Sequence, residues 1–84
     1  MSRPRDKGCA NLKEAVGAAK REVNDRFASD PLQNIRLEEY LYDDHLGVWS
    51  LTIGFALPAQ PETRRYKLVR VSQADCSVLS VTDR

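Results

Sequence analysis

The sequence predicts an α+β fold, with one N-terminal helix packed on an antiparallel meander of three or four strands. Three observations carry this. Apolar residues recur at steps of three and four up to Phe27, and at steps of two from Ile35 onward. The change of period falls at Pro31, a residue type that ends helices. The later segments are joined by connections of about five residues, too short for the crossover that parallel strands need.

The helix comes first. Leu12, Ala15, Val16, Ala19, Val23 and Phe27 share one stripe of a helical cylinder, while Lys13, Lys20, Arg21, Asn24 and Asp25 fall elsewhere. Asn11 suits the N-cap, where its side-chain oxygen accepts from a first-turn amide, and Glu14 is placed to answer it. Gly17 costs about 1 kcal/mol relative to alanine, too little to break the pattern. Ser29, Asp30 and Pro31 stop the helix, which is expected over residues 11–28 with a length of about 27 Å.

In strand one, Ile35, Leu37 and Leu41 alternate with Arg36, Glu38, Tyr40 and Tyr42. Glu39 intrudes on the apolar side, which predicts a bulge or a frayed end there. Residues 43–47 (DDHLG) supply a turn, with Gly47 suited to a positive φ. Strand two is the clearest: Trp49, Leu51, Ile53, Phe55 and Leu57 take one face, and Val48, Ser50, Thr52, Gly54 and Ala56 the other. Residues 58–62 are expected to form a loop, because prolines do not fit a central strand. Strand three is expected at 64–72 and strand four at 78–82, with a turn at 73–77. The row Trp49, Leu51, Ile53 and Phe55 is then expected to face Val16, Ala19, Val23 and Phe27.

Composition bounds the function. Eighty-four residues make one small domain, here residues 9–84 behind a disordered leader at 1–8. Thirteen basic residues against twelve acidic ones leave a net charge of +1, so no overall field recruits nucleic acid or an anionic membrane. No apolar run is long enough to span a bilayer, and MSRPRDKG lacks the apolar stretch of a signal peptide. Two cysteines are too few for a disulfide scaffold, so a reducing, cytoplasmic location is expected. A chain this short buries only about 60% of its unfolded surface, and such domains often gain stability from a partner.

The strand WSLTIGF followed by RRYKLVRVSQADCSVLSV resembles the hydrophobic strand, tight turn and returning strand of PepSY-like domains. Tyr66, Val69, Val71, Val78 and Leu79 occupy the matching hydrophobic places. Ser72 stands where that family usually has the turn aspartate, and Cys76 where it usually has glycine. The chain is also similar to small bacterial proteins with the same GFALP and RRYKLVRV rhythm. The resemblance implies a non-catalytic regulatory or binding module.

No constellation of residues points to catalysis. Asp43, Asp44 and His45 are adjacent, and neighbours in sequence rarely converge on one ion, so they are read as turn formers, with no metal and no cofactor expected. Cys9 and Cys76 lack a nearby base and are read as free small residues, although a helix start lying over the last hairpin would let them approach. What remains is the sheet face turned away from the helix. There the alternation places Tyr40 and Tyr42 with Arg36 and Glu38, beside the small row of strand two and one half of strand three. Tyr40, Tyr42, Tyr66, Leu68 and Arg70 are the candidate partner-binding residues, since tyrosine and arginine anchor interfaces. The expected function is a non-enzymatic protein-interaction module, a homodimer or the accessory subunit of a larger protein. The alternative is a binder of single-stranded nucleic acid, with Tyr40, Tyr42 and Tyr66 stacking bases and Arg36, Arg64, Arg65, Lys67 and Arg70 following phosphates.

Overall fold

The computed structural model describes residues 11–26 and 32–84. The leader at 1–8, Cys9, Phe27 and the helix stop at 29–31 lie outside the described residues. One helix, α1 (Leu12–Arg26), packs on one face of a four-stranded sheet. Its strands are β1 (Gln33–Asp43), β2 (Val48–Leu57), β3 (Gln60–Ser72) and β4 (Val78–Asp83). They lie in the order β1-β2-β3-β4 and every neighbouring pair is antiparallel, so the sheet is the expected meander.

Asn11 caps α1, its Oδ1 accepting from the Glu14 amide at 3.0 Å. Ala15, Ala18, Ala19 and Val23 are buried, with Leu12 and Val16 packed beside them. Three of the four buried positions are alanines, so the helix backbone seats close to the sheet. Opposite them lie Leu51, Ile53 and Phe55 of β2 with Val69 and Val71 of β3, all fully buried. Each of these side chains contributes about 1.5–3 kcal/mol relative to exposure. The odd-numbered row of β2 therefore faces the helix as its alternation requires. No helix among the described residues is long and apolar enough to cross a membrane.

The helix lies mainly over β2 and β3, extends to β4 and touches β1 least. Its first turn stands above the β3–β4 turn, where Cys76 Sγ is 3.9 Å from the Glu14 carbonyl oxygen. Cys76 is disulfide-bonded, which corrects the reading of it as a free thiol. It also takes the left-handed conformation, φ 60°, that glycine adopts most readily.

The expected loop at 58–62 is shorter than the sequence suggested. Pro58 and Ala59 alone turn the chain, and β3 already starts at Gln60, paired with Leu57. The next pair is Ala56 with Arg64, so Pro61, Glu62 and Thr63 have no partner on β2. The proline thus stands where the ladder asks nothing of its missing N–H.

Candidate interaction surface

β1 decides what the free face of the sheet carries. Its register against β2 slips twice, each time by one extra residue on β1: between Gln33 and Arg36, and between Leu37 and Glu39. Asn34 absorbs the first slip in a left-handed conformation, φ 53°, which asparagine tolerates. The second is the bulge that Glu39 foretold. Before it, Leu37 opposes Ile53 and faces the helix; beyond it, Tyr40 opposes Leu51, Leu41 opposes Ser50, and Tyr42 opposes Trp49. Directly opposed residues share a face, so the extra residue exchanges the two sides of the strand.

Tyr40 and Tyr42 therefore belong to the helix side, not to the free face where the alternation had put them. They are not covered there, because α1 lies towards the other strands. Tyr40 remains 56% exposed, and Tyr42 leans against Trp49 with ring centroids 4.6 Å apart and planes tilted by 47°. Trp49 is half-buried, and its indole N–H has no hydrogen-bond partner among the described residues. Leu41, expected in the core, is instead 67% exposed on the free face. Tyr66, Leu68 and Arg70 do lie on the free face, opposite Gly54, Thr52 and Ser50. The five candidate residues are thus divided, two on one side of the sheet and three on the other.

The free face is laced by ion pairs. Arg64 donates to Glu38 Oε2 at 2.8 Å and to the Asn34 carbonyl at 2.8 Å, while Arg36 reaches the same Glu38 oxygen at 3.3 Å. Arg84, at the end of β4, crosses the sheet to Glu39 Oε1 on β1 at 2.6 Å. The Arg64 hydrogen bond holds the Glu38 carboxyl below its ordinary range against partial desolvation, with Arg36 adding to the effect. The Glu38–Arg64 pair lies directly over Gly54. A Cβ on that residue would stand 2.7 Å from Arg64 Nη2 and 2.9 Å from Glu38 Cγ, so glycine is what lets the pair close. Under these side chains Thr52 is 5% exposed and Ala56 is fully buried.

Between the Glu39–Arg84 bridge and the β1–β2 hairpin the face stays open. Ser50 and Thr52 floor a hollow of ≈ 380 Å³ whose walls include Leu41, Leu68, Arg70 and Glu39, and Tyr40 also borders it from β1 although its register sets it on the helix side. Leu41, Glu39 and Arg84 are members of this surface that the alternation did not single out. The signal for two of them was Glu39 itself, because carrying the parity past an extra residue there turns Leu41 outward.

The hairpin and edge groups have local roles. Asp43 Oδ1 accepts from the His45 amide at 3.0 Å and the Leu46 amide at 3.2 Å, and Gly47 follows at φ 64°. Asp75 Oδ1 likewise accepts from the Ser77 hydroxyl at 2.7 Å and the Ser77 amide at 3.0 Å, which holds its carboxyl below the ordinary range. Lys67 on the helix side pairs with Asp83, whose carboxyl is lowered by that hydrogen bond. Among the described residues no group of three His, Cys, Asp or Glu side chains is arranged to hold a metal ion.

No protein-family model matches this chain, and no curated protein or solved structure matches it at a significant level.

Proposed function

We propose that the chain is a small non-enzymatic protein-interaction module that binds through the free face of its sheet, by self-association or as the accessory subunit of a larger protein. The observation that carries this is the hollow between β1 and β3. Leu41 and Leu68 flank a floor of small polar side chains, Arg70 stands at the rim, and no described element packs over them. An aliphatic pair with an arginine at its edge suits a protein surface better than solvent alone. The PepSY-like cadence of β2 to β4 agrees with a regulatory, non-catalytic role.

The nucleic-acid alternative draws less support from the same geometry. Tyr40 and Tyr42 are on the opposite side of the sheet from Tyr66, so the three rings make no common stacking platform. Arg36, Arg64 and Lys67 are already paired with carboxylates. A cytoplasmic site of action was expected because two cysteines are too few for a disulfide scaffold; the disulfide at Cys76 favours an oxidising compartment instead.

Light scattering behind a sizing column, across a range of concentrations and at two salt levels, tests the reading. Association is expected to appear with rising concentration and to be lost in Leu41→Asp, which leaves the core untouched. Association that survives Leu41→Asp unchanged would place the interface elsewhere.

A further inference from the structure

We infer that the partner of the free face is a second copy of this chain, stacked sheet against sheet about a two-fold axis parallel to the strands. The inference rests on the interaction reading above and adds who binds and in what orientation. Two independent asymmetries of the face carry it.

The first is shape. Towards this side β2 presents only Val48, Ser50, Thr52, Gly54 and Ala56, whereas β3 presents Arg64, Tyr66, Leu68 and Arg70. A trough of small residues thus runs beside a ridge of large ones. The second is charge. On the same side β1 carries Glu38, Glu39 and Asp43 against one arginine, Arg36, while β3 carries Arg64 and Arg70, with Glu62 in its unpaired stretch, and Arg84 follows β4. Arg64 and Arg84 already bridge Glu38 and Glu39 within the chain, which leaves Arg70 as the cation of this side with no carboxylate partner among the described residues.

Two free faces meet symmetrically only about an axis lying in the plane between them. If that axis runs across the strands, each strand meets its own copy, so ridge strikes ridge and the acidic edge meets the acidic edge. If it runs along the strands, β1 meets β4 and β2 meets β3. Each ridge then enters the other copy's trough, and each acidic edge meets the other's arginines. Both asymmetries select the second arrangement, which is also the aligned packing that twisted sheets adopt at about 10 Å separation.

The ion pairs decide where the contact is tightest. Glu38 with Arg64 covers the trough at Gly54, and Glu39 with Arg84 closes the middle. The open half is the hollow floored by Ser50 and Thr52. Arg70 is level with Ser50 in the ladder, so the two-fold brings the Arg70 of each copy over the hollow of the other, where Glu39 forms part of the wall.

The test uses Arg70→Glu and Glu39→Arg, both exposed positions. Each variant alone sets like charges together in its own dimer and is expected to weaken association at least tenfold. An equimolar mixture of the two restores both opposite-charge contacts between copies, so native mass spectrometry should show the mixed dimer well above either homodimer, below wild-type affinity only by the loss of the Glu39–Arg84 bridge in one copy. Circular dichroism of each variant establishes that it folds. If Leu41→Asp dissociates the wild-type dimer but the mixture gives no mixed dimer, this arrangement is overturned while the interaction face stands. If the wild-type chain stays monomeric at every concentration, the second copy is overturned, leaving the face to a larger protein. Association insensitive to all three substitutions removes both the arrangement and the face.

Discussion

At the scale of single residues, two positions govern the free face. The slip between Leu37 and Glu39, which leaves Glu38 without a partner on β2, exchanges the sides of Tyr40, Leu41 and Tyr42, so the Glu38–Glu39 pair is the first. Gly54 is the other, because the Glu38–Arg64 pair occupies the space its Cβ would need. Alanine in place of a strand glycine ordinarily gains about 0.4–1 kcal/mol through reduced backbone entropy. Here Gly54→Ala is expected to destabilise by about 1–3 kcal/mol, as a side chain forced into occupied space does. Urea midpoints check it, and the added change Glu38→Ala should recover part of the loss by clearing the site. A Gly54→Ala chain as stable as the parent would show that the pair moves aside at no cost.

At the scale of elements, long ion pairs tie β1 to β3 and β4, adding to the apolar packing of Ile35 and Leu37. Glu38, Asp75 and Asp83 are all held below the ordinary carboxylate range in the folded chain. As pH falls, the unfolded chain therefore takes up protons before the folded one does. Their stabilising contribution is complete at neutral pH, above the unfolded values, and is lost as pH drops below about 4. The urea midpoint is expected to fall between pH 5 and pH 3, and to fall less in Glu38→Gln. A midpoint that stays level over that range would mean these solvent-exposed pairs contribute nothing measurable. Screening by solvent keeps each contribution small. The elements themselves were mostly legible in the residues. The helix stripe, the Asn11 cap, the Gly47 turn and the two rows of β2 all follow from local spacing. The start of β3 was not, because Pro61 reads as a strand breaker unless a three-residue excursion from the ladder is known to surround it.

For the whole molecule, one small core carries most of the stability, and the described helix contributes mainly alanines and one valine to it. A disulfide at Cys76, beneath the first turn of α1, therefore matters more here than in a larger domain. Removing a native disulfide from a small domain typically costs about 2–5 kcal/mol. Reduction with a strong thiol, or Cys76→Ser, is expected to lower the thermal midpoint clearly, and thiol titration of the oxidised protein should find no free sulfhydryl. A titration that finds reactive thiols, with a midpoint indifferent to reductant, would count against the bond in solution. The cysteine count alone did not reveal this bond, since two residues so far apart in sequence meet only if the helix start lies over the β3–β4 turn.

The residues by themselves determined the α+β class, the order of elements, the helix-facing row of β2, and the bulge near Glu39. All of these depend on local period and turn chemistry, which a chain carries in its own spacing. Only the tertiary structure decided which side β1 shows beyond the bulge, which side β3 turns to the helix through its pairing with β2, where the arginines of β3 and β4 find carboxylates, and that Cys76 is bonded. Those outcomes depend on cross-strand register and on how far the helix reaches over the sheet. A slip of one residue in that register moves Tyr40 and Tyr42 to the helix side and leaves Leu41, Tyr66, Leu68 and Arg70 on the other.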